Sequence, residues 1–259
     1  MTNGTSSKPV SRAKMALRLR PYFDLQLRFA EAMAASGGEA LAASVTRNTN
    51  LHRRFGFGRI HNGVYAPEWA GYLALLEEAE THEARLDATC TFFAQCPDEK
   101  KPEKELRFGC FSFELQDERG AVRIHFGNRE EGGIGPLSRA RMAERQRELH
   151  DMFAHIRAVH PEASRVRGGS WLYRVEAYRR LFPPDYVKSC APAHGLMRFD
   201  GTSSWGQFLD RQGGVKPDLR DIFLRNLPSL DPKSAEDVFP LPAMRAEAPV
   251  GLFFDFYGA

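Results

Sequence analysis

No stretch of the 259-residue chain approaches the roughly 18 to 20 consecutive apolar residues a membrane helix needs. No apolar block of about 7 to 15 residues follows the early basic residues either. The sequence therefore reads as neither membrane-spanning nor exported by a leader, and the expected compartment is the cytoplasm. Cysteine is scarce: Cys90, Cys96, Cys110 and Cys190 make no C-x-x-C pair, which excludes a zinc ribbon and a dithiol redox motif and leaves four reduced core or near-core thiols. His150, His155 and His160 stand five residues apart, a step that advances about 500° around a helix and scatters the rings, so no metal is expected. The G-x-S-x-G pattern is missing around Gly169-Ser170-Trp171, so nothing supports a serine hydrolase.

What is present is an ordinary globular composition: 42% hydrophobic and 27% charged residues, with 22 Gly and 16 Pro. The length suits one large domain or two unequal ones. Lys and Arg total 36 against 33 acids, but Lys8, Arg12, Lys14, Arg18 and Arg20 lie in an acid-free start, leaving 31 against 33 in the body. Nucleic acid is therefore not the expected partner, because a duplex-binding domain spreads a strong basic footprint over one face. Arg outnumbers Lys 28 to 8, a cation type suited to bidentate contact with carboxylate or phosphate.

Residues 1–19 are polar and acid-free and read as a disordered tail. Residues 20–96 read as a helical region, with a helix from Pro21 to a Gly37-Gly38 stop, another over Leu41–Leu51, a third opened by Pro67 and a fourth carrying Leu86, Cys90, Phe92 and Phe93. Residues 97–104 form a charged, proline-bounded linker, and residues 105–259 read as an α/β domain. There Leu106–Leu115 and Ala121–Gly127 alternate as a hairpin around Asp117-Glu118-Arg119-Gly120. The first of these strands is apolar at successive positions, which predicts cover on both sides of the sheet. A long helix capped by Ser138 carries a stripe of Met142, Leu149, Met152, Phe153, Ile156 and Val159. A strand over Arg165–Leu172, a helix over Val175–Phe182, a strand over Leu196–Phe199, helices over Ser203–Leu209 and Pro217–Leu227, and an aromatic segment Leu252–Tyr257 follow. The fold class is thus α+β: a helical region, then a mixed sheet with helices on both faces.

One constellation carries chemistry. Arg139 and Arg141 fall in the first turn of the long helix, where the dipole and free amides already favour an anion. They follow Gly132-Gly133-Ile134-Gly135, whose missing side chains let a ligand approach bare backbone. In the plainer alternative, Glu130, Glu131 and Glu144 neutralise these arginines. The run Glu130-Glu131-Gly132-Gly133-Ile134-Gly135, the helix from Ser138, the strand Val166–Leu172 and the helix Ala177–Phe182 together resemble the coenzyme-A-binding half of the GNAT acyltransferase superfamily, over about residues 106–182. The loop departs from the family form in having Glu130 at its first position, Pro136-Leu137 before the helix, and Leu181 where a Tyr acid is common.

The resemblance implies a GNAT-like domain using acetyl-CoA or another acyl-CoA as co-substrate, with a small-molecule or protein amine as acceptor. Gly132, Gly133, Gly135, Ser138, Arg139 and Arg141 would hold the cofactor, and the splayed strand before the loop would bond its pantetheine arm. The nearest candidates for base are His125 and Glu114, and for acid Tyr178 or Tyr173, all of which have ordinary packing or surface roles as alternatives. A non-catalytic protein-interaction module on the same fold is the alternative function, and an RNA-associated protein using the basic tail and the Arg53-Arg54-Phe55 patch is a third.

Overall fold

Ser11, whose hydroxyl accepts a hydrogen bond from the Lys14 amide, opens helix α1 (Arg12–Gly37) in the computed structural model, which describes residues 11–58, 60, 63–97, 106–116, 120–130, 133–193 and 198–259. The first ten residues, most of the 97–104 linker, the Asp117–Arg119 turn, Glu131, Gly132 and the Leu196–Met197 start of a predicted strand lie outside the described residues. The helix begins well before Pro21 and contains it: Arg12–Leu19, which composition assigns to a disordered tail, is helical, with Ala16 and Leu19 buried. An acid-free stretch is no obstacle to a helix whose apolar positions find a core. Helices α2 (Leu41–Asn48), α3 (Leu51–Arg54), α4 (Pro67–Glu78) and α5 (His82–Gln95) follow; the helix expected over Leu41–Leu51 stops at Thr49, whose extended backbone separates α2 from α3.

The chain divides into two compact units, one comprising Met1–Lys101 and Arg198–Pro240, the other Pro102–Met197 and Leu241–Ala259. The sequence predicts a single boundary near residue 100, whereas the structure returns Arg198–Pro240 to the helical unit. The reason is aromatic packing: Phe29 of α1 lies 5.0 Å from Phe199, 5.6 Å from Trp205, 6.1 Å from Phe223 and 5.3 Å from Phe239.

The second unit is built on a mixed six-stranded sheet of order β1-β2-β3-β4-β6-β5, from β1 (Arg107–Phe108), β2 (Phe111–Leu115), β3 (Ala121–Phe126), β4 (Arg165–Ser170), β5 (Ala191–Pro192) and β6 (Met244–Pro249). All neighbours are antiparallel except β3 and β4, which are joined through α6 (Met142–Val159). Helices α7 (Glu176–Arg179) and α8 (Pro184–Lys188) lie between β4 and β5. In the first unit α9 (Thr202–Trp205) and α10 (Pro217–Asn226) follow, and α11 (Gly251–Tyr257) closes the second. Val122, Ile124, Phe111 and Val166 pack with Leu149, Met152, Phe153 and Ile156 of α6 and with Phe253 of α11 in one core.

Among the described residues the outer face of the sheet is largely polar, although Ser112 and Ala121 on it are buried. Beyond that core face, the side chains of Glu114, Arg123, His125, Arg165, Arg167 and Glu247 alternate outward and are between 29% and 46% exposed. The predicted first strand looks apolar on both faces because it is two strands. Gly109, at φ 57°, and Cys110 turn the chain so that Phe108 opposes Phe111, and the odd spacing of these rings becomes a single face. Among the described residues no helix is long and apolar enough to cross a membrane.

Candidate functional site

The parallel ladder between β3 and β4 pairs Ala121 with Arg165, Val122 with Val166 and Arg123 with Arg167, and ends there. Both strands continue, β3 held by β2 as far as Phe126 opposite Phe111, β4 held by β6 as far as Ser170 opposite Met244. Their facing edges, Ile124–Phe126 and Gly168–Ser170, therefore run on without pairing to each other, and the glycine loop leaves from the β3 side of this gap. Three buried tyrosines crowd the β4 side on the core face. The Tyr173 and Tyr186 hydroxyls share a hydrogen bond of 2.6 Å and come down on Gly168, filling the space a Cβ would take. Tyr178 packs edge-on against Tyr173 at 5.3 Å and against Phe126 of β3 at 5.7 Å. Burial is the main cause that drives the phenol pKa of both Tyr173 and Tyr178 well above the usual value, so each keeps its proton through the neutral range.

In the loop, Gly133 and Gly135 have open space where a Cβ would stand, and neither has the left-handed backbone that would itself demand glycine. Ser138 does not cap the long helix. It precedes a 3₁₀ turn, Arg139–Arg141, donates its amide to the Gly135 carbonyl at 3.0 Å, and leaves its hydroxyl buried without a partner. Pro136 and the turn delay α6 to Met142, so Arg139 and Arg141 lie ahead of the helix rather than in its first turn. Arg139 is exposed. Arg141 is engaged by Glu130 at 3.0 Å and Glu144 at 2.7 Å, the neutralised arrangement rather than a guanidinium open to a guest.

Beneath it lies a charged cluster that periodicity does not reveal. Arg145, 1% exposed, bonds Glu130 at 2.7 Å and Glu148 at 2.8 Å, reaches Glu144 at 3.2 Å, and donates to the Cys110 sulfur at 2.6 Å. Glu148 in turn accepts from the Cys110 amide at 3.1 Å and fills the place of a Cβ on Gly109. Burial raises the Glu148 carboxyl pKa against the opposing pull of the Cys110 amide and Arg145. The cluster ties the loop, the β1–β2 turn and α6 together, with two guanidinium groups facing three carboxylates.

On the outer face His125 Nε2 lies 3.4 Å from Glu114, and Arg123 lies 3.6 Å from the other oxygen of the same carboxylate. The structure thus brings His125 and Glu114 together, as adjacent strands allow. It sets them on the face of β3 opposite Phe126 and Tyr178, so the two pairs of acid–base candidates flank the gap instead of sharing one side. Gly132, the remaining predicted residue, lies outside the described residues. Among the described residues no group of three or more His, Cys, Asp or Glu is placed to hold a metal ion. Tyr186 and Arg145 are the residues that sequence reasoning misses: Arg145 falls on the buried stripe of α6, where only apolar residues are counted. Comparison with known proteins brings no match among family profiles, curated proteins or solved structures.

Proposed function

We propose that the second unit binds an acyl-coenzyme A thioester in the gap between β3 and β4 and transfers the acyl group to an amine, as its resemblance to the GNAT superfamily implies. The observation that carries this reading is the ladder that stops after three pairs at the end where the glycine loop departs. Strand edges released from each other can bond an extended pantetheine arm, much as a sheet edge bonds an added strand. The open positions of Gly133 and Gly135 with exposed Arg139 suit the diphosphate. Arg141, held by Glu130 and Glu144, shapes the loop instead.

In the reaction the amine nitrogen attacks the thioester carbonyl, a C–N bond forms and the C–S bond breaks. His125, with Glu114 beside it, takes the proton released by the amine, and Tyr178 or Tyr173 gives one to the departing sulfur from the other face. Four free thiols fit the reducing cytoplasm in which acyl-coenzyme A circulates. The pairing of Arg141 with Glu130 favours the second reading, a non-catalytic interaction module on this fold.

Thermal melting separates the two. A ligand at 100 times its dissociation constant adds about 2.7 kcal/mol. Acetyl-CoA is expected to raise the melting temperature, and Arg139→Ala to shrink the rise. No shift at millimolar acetyl-CoA overturns the acyltransferase reading and favours the interaction module.

A further inference from the structure

Alternation along the strands puts one row of residues on the outer face: Arg107 opposite Ser112, Ser112 opposite His125, Glu114 opposite Arg123, Arg123 opposite Arg167, Arg167 opposite Glu247, and Gly169 opposite Arg245. With Arg165, five arginines share this face with two glutamates among the described residues. The described part of this face is therefore cationic.

The face already holds one carboxylate. Glu247 lies between Arg165 and Arg167, each of its oxygens taken by one guanidinium, at 2.7 and 2.8 Å. Arg123 is in a looser position. It stands at the last rung before the gap, and its contact to Glu114, at 3.6 Å, is too long for a hydrogen bond. Gly169 and Arg245 form the next pair along the open face, and nothing stands above Gly169 within van der Waals reach of a Cβ, which leaves a floor. His125 is two residues from Arg123 along β3, about 6.6 Å at a strand's rise and on the same face, so the two side chains are neighbours there.

Resting on the acyl-transfer reading, we infer that the acceptor amine carries a carboxylate, which Arg123 and Arg245 receive on the outer face so that the amine lies over His125 beside the gap. A polyamine or another cationic acceptor meets repulsion on the same face. A phosphate-bearing amine shares the anionic chemistry, and the guanidinium fork accepts either, but the Glu247 contact is a carboxylate contact and favours that group.

The test is thiol release from acetyl-CoA with the common amino acids and β-alanine, each against its carboxamide, with phosphoethanolamine and spermidine alongside. The expected result is a preference of about tenfold or more in kcat/KM for at least one carboxylate over its amide, a 10-fold gap being about 1.4 kcal/mol. Arg123→Gln should raise the KM of that amino acid about tenfold while leaving the KM of acetyl-CoA and of the amide unchanged. Arg245→Gln supplies the same comparison if Arg123→Gln fails to fold. Equal use of amides, preference for spermidine, or preference for phosphoethanolamine overturns the carboxylate inference and leaves acyl transfer standing. Thiol release from no amine overturns the inference too, and the acetyl-CoA melting shift then tells whether donor binding falls with it.

Discussion

Arg145 occupies a position that α6 would otherwise give to an aliphatic side chain, one turn before Leu149 on the buried stripe. Its guanidinium is shielded from water and so are most of the atoms of Glu130 and Glu148, which are 12% and 14% exposed. Replacing it with Met keeps the volume and strands the carboxylates, a loss of about 3–5 kcal/mol for a broken buried pair. Arg141 pairs at the solvent-exposed edge of the cluster, where water screens its charge, so its Ala variant should lose far less than Arg145→Met. Urea unfolding of the two variants measures the difference, and an Arg145→Met protein as stable as the parent would show the cluster to be dispensable. At this scale the sequence is legible where chemistry and spacing coincide, as in the His125–Glu114 pair on neighbouring strands. It is not legible where a charge lies on an apolar stripe, because only the fold brings Glu130 back from the loop to meet Arg145.

Whole elements are read from the chain when their pattern is strong. Helices α4, α5, α6 and α10 follow apolar spacing or a proline at the start, and β2 with β3 follow alternation. Strand β6 escapes notice because its inward residues are Ala246 and Ala248, too small to mark a buried face, and Pro249 ends it. Those small residues make room where the tyrosines approach, and the same economy of space explains Gly168. A methyl group at Gly168 meets the Tyr173 and Tyr186 hydroxyls. Gly168→Ala is therefore expected to cost about 1–3 kcal/mol, the usual penalty for forcing extra volume into a packed site. Its near-ultraviolet circular dichroism should change with the displaced rings, and an unchanged spectrum and melting temperature would contradict the close approach. The parity break at Gly109-Cys110 has a different lesson: alternation carries the face of a strand only until the chain turns.

On the scale of the molecule, each unit has its own chemistry of stability. In the first, His52 donates from Nδ1 to the Gly58 carbonyl at 2.9 Å and accepts at Nε2 from the Ala66 amide at 3.2 Å, a pattern that requires a neutral ring. Burial lowers its pKa below the usual 6.5. The unfolded ring therefore takes up a proton at a higher pH than the folded one, so this contribution is complete above about 6.5 and is lost as pH falls through the lowered value. Urea midpoints followed by the fluorescence of Trp69 and Trp205, both in this unit, should fall between pH 7 and pH 5, and His52→Gln should flatten the fall. A parent protein with no slope over that range would rule out the neutral ring. The division into units is the least legible feature, since Arg198–Pro240 has no pattern that says which core it joins; Phe29, some 170 residues earlier, decides it. That return has a consequence for biosynthesis. A nascent chain leaves the ribosome with α1 through α5 made but lacking Trp205, Phe223 and Phe239, and it completes the α/β sheet only when β6 emerges. Neither core is therefore complete until Phe239 and β6 are made, and until then the early helices expose aromatic surface that a chaperone would recognise.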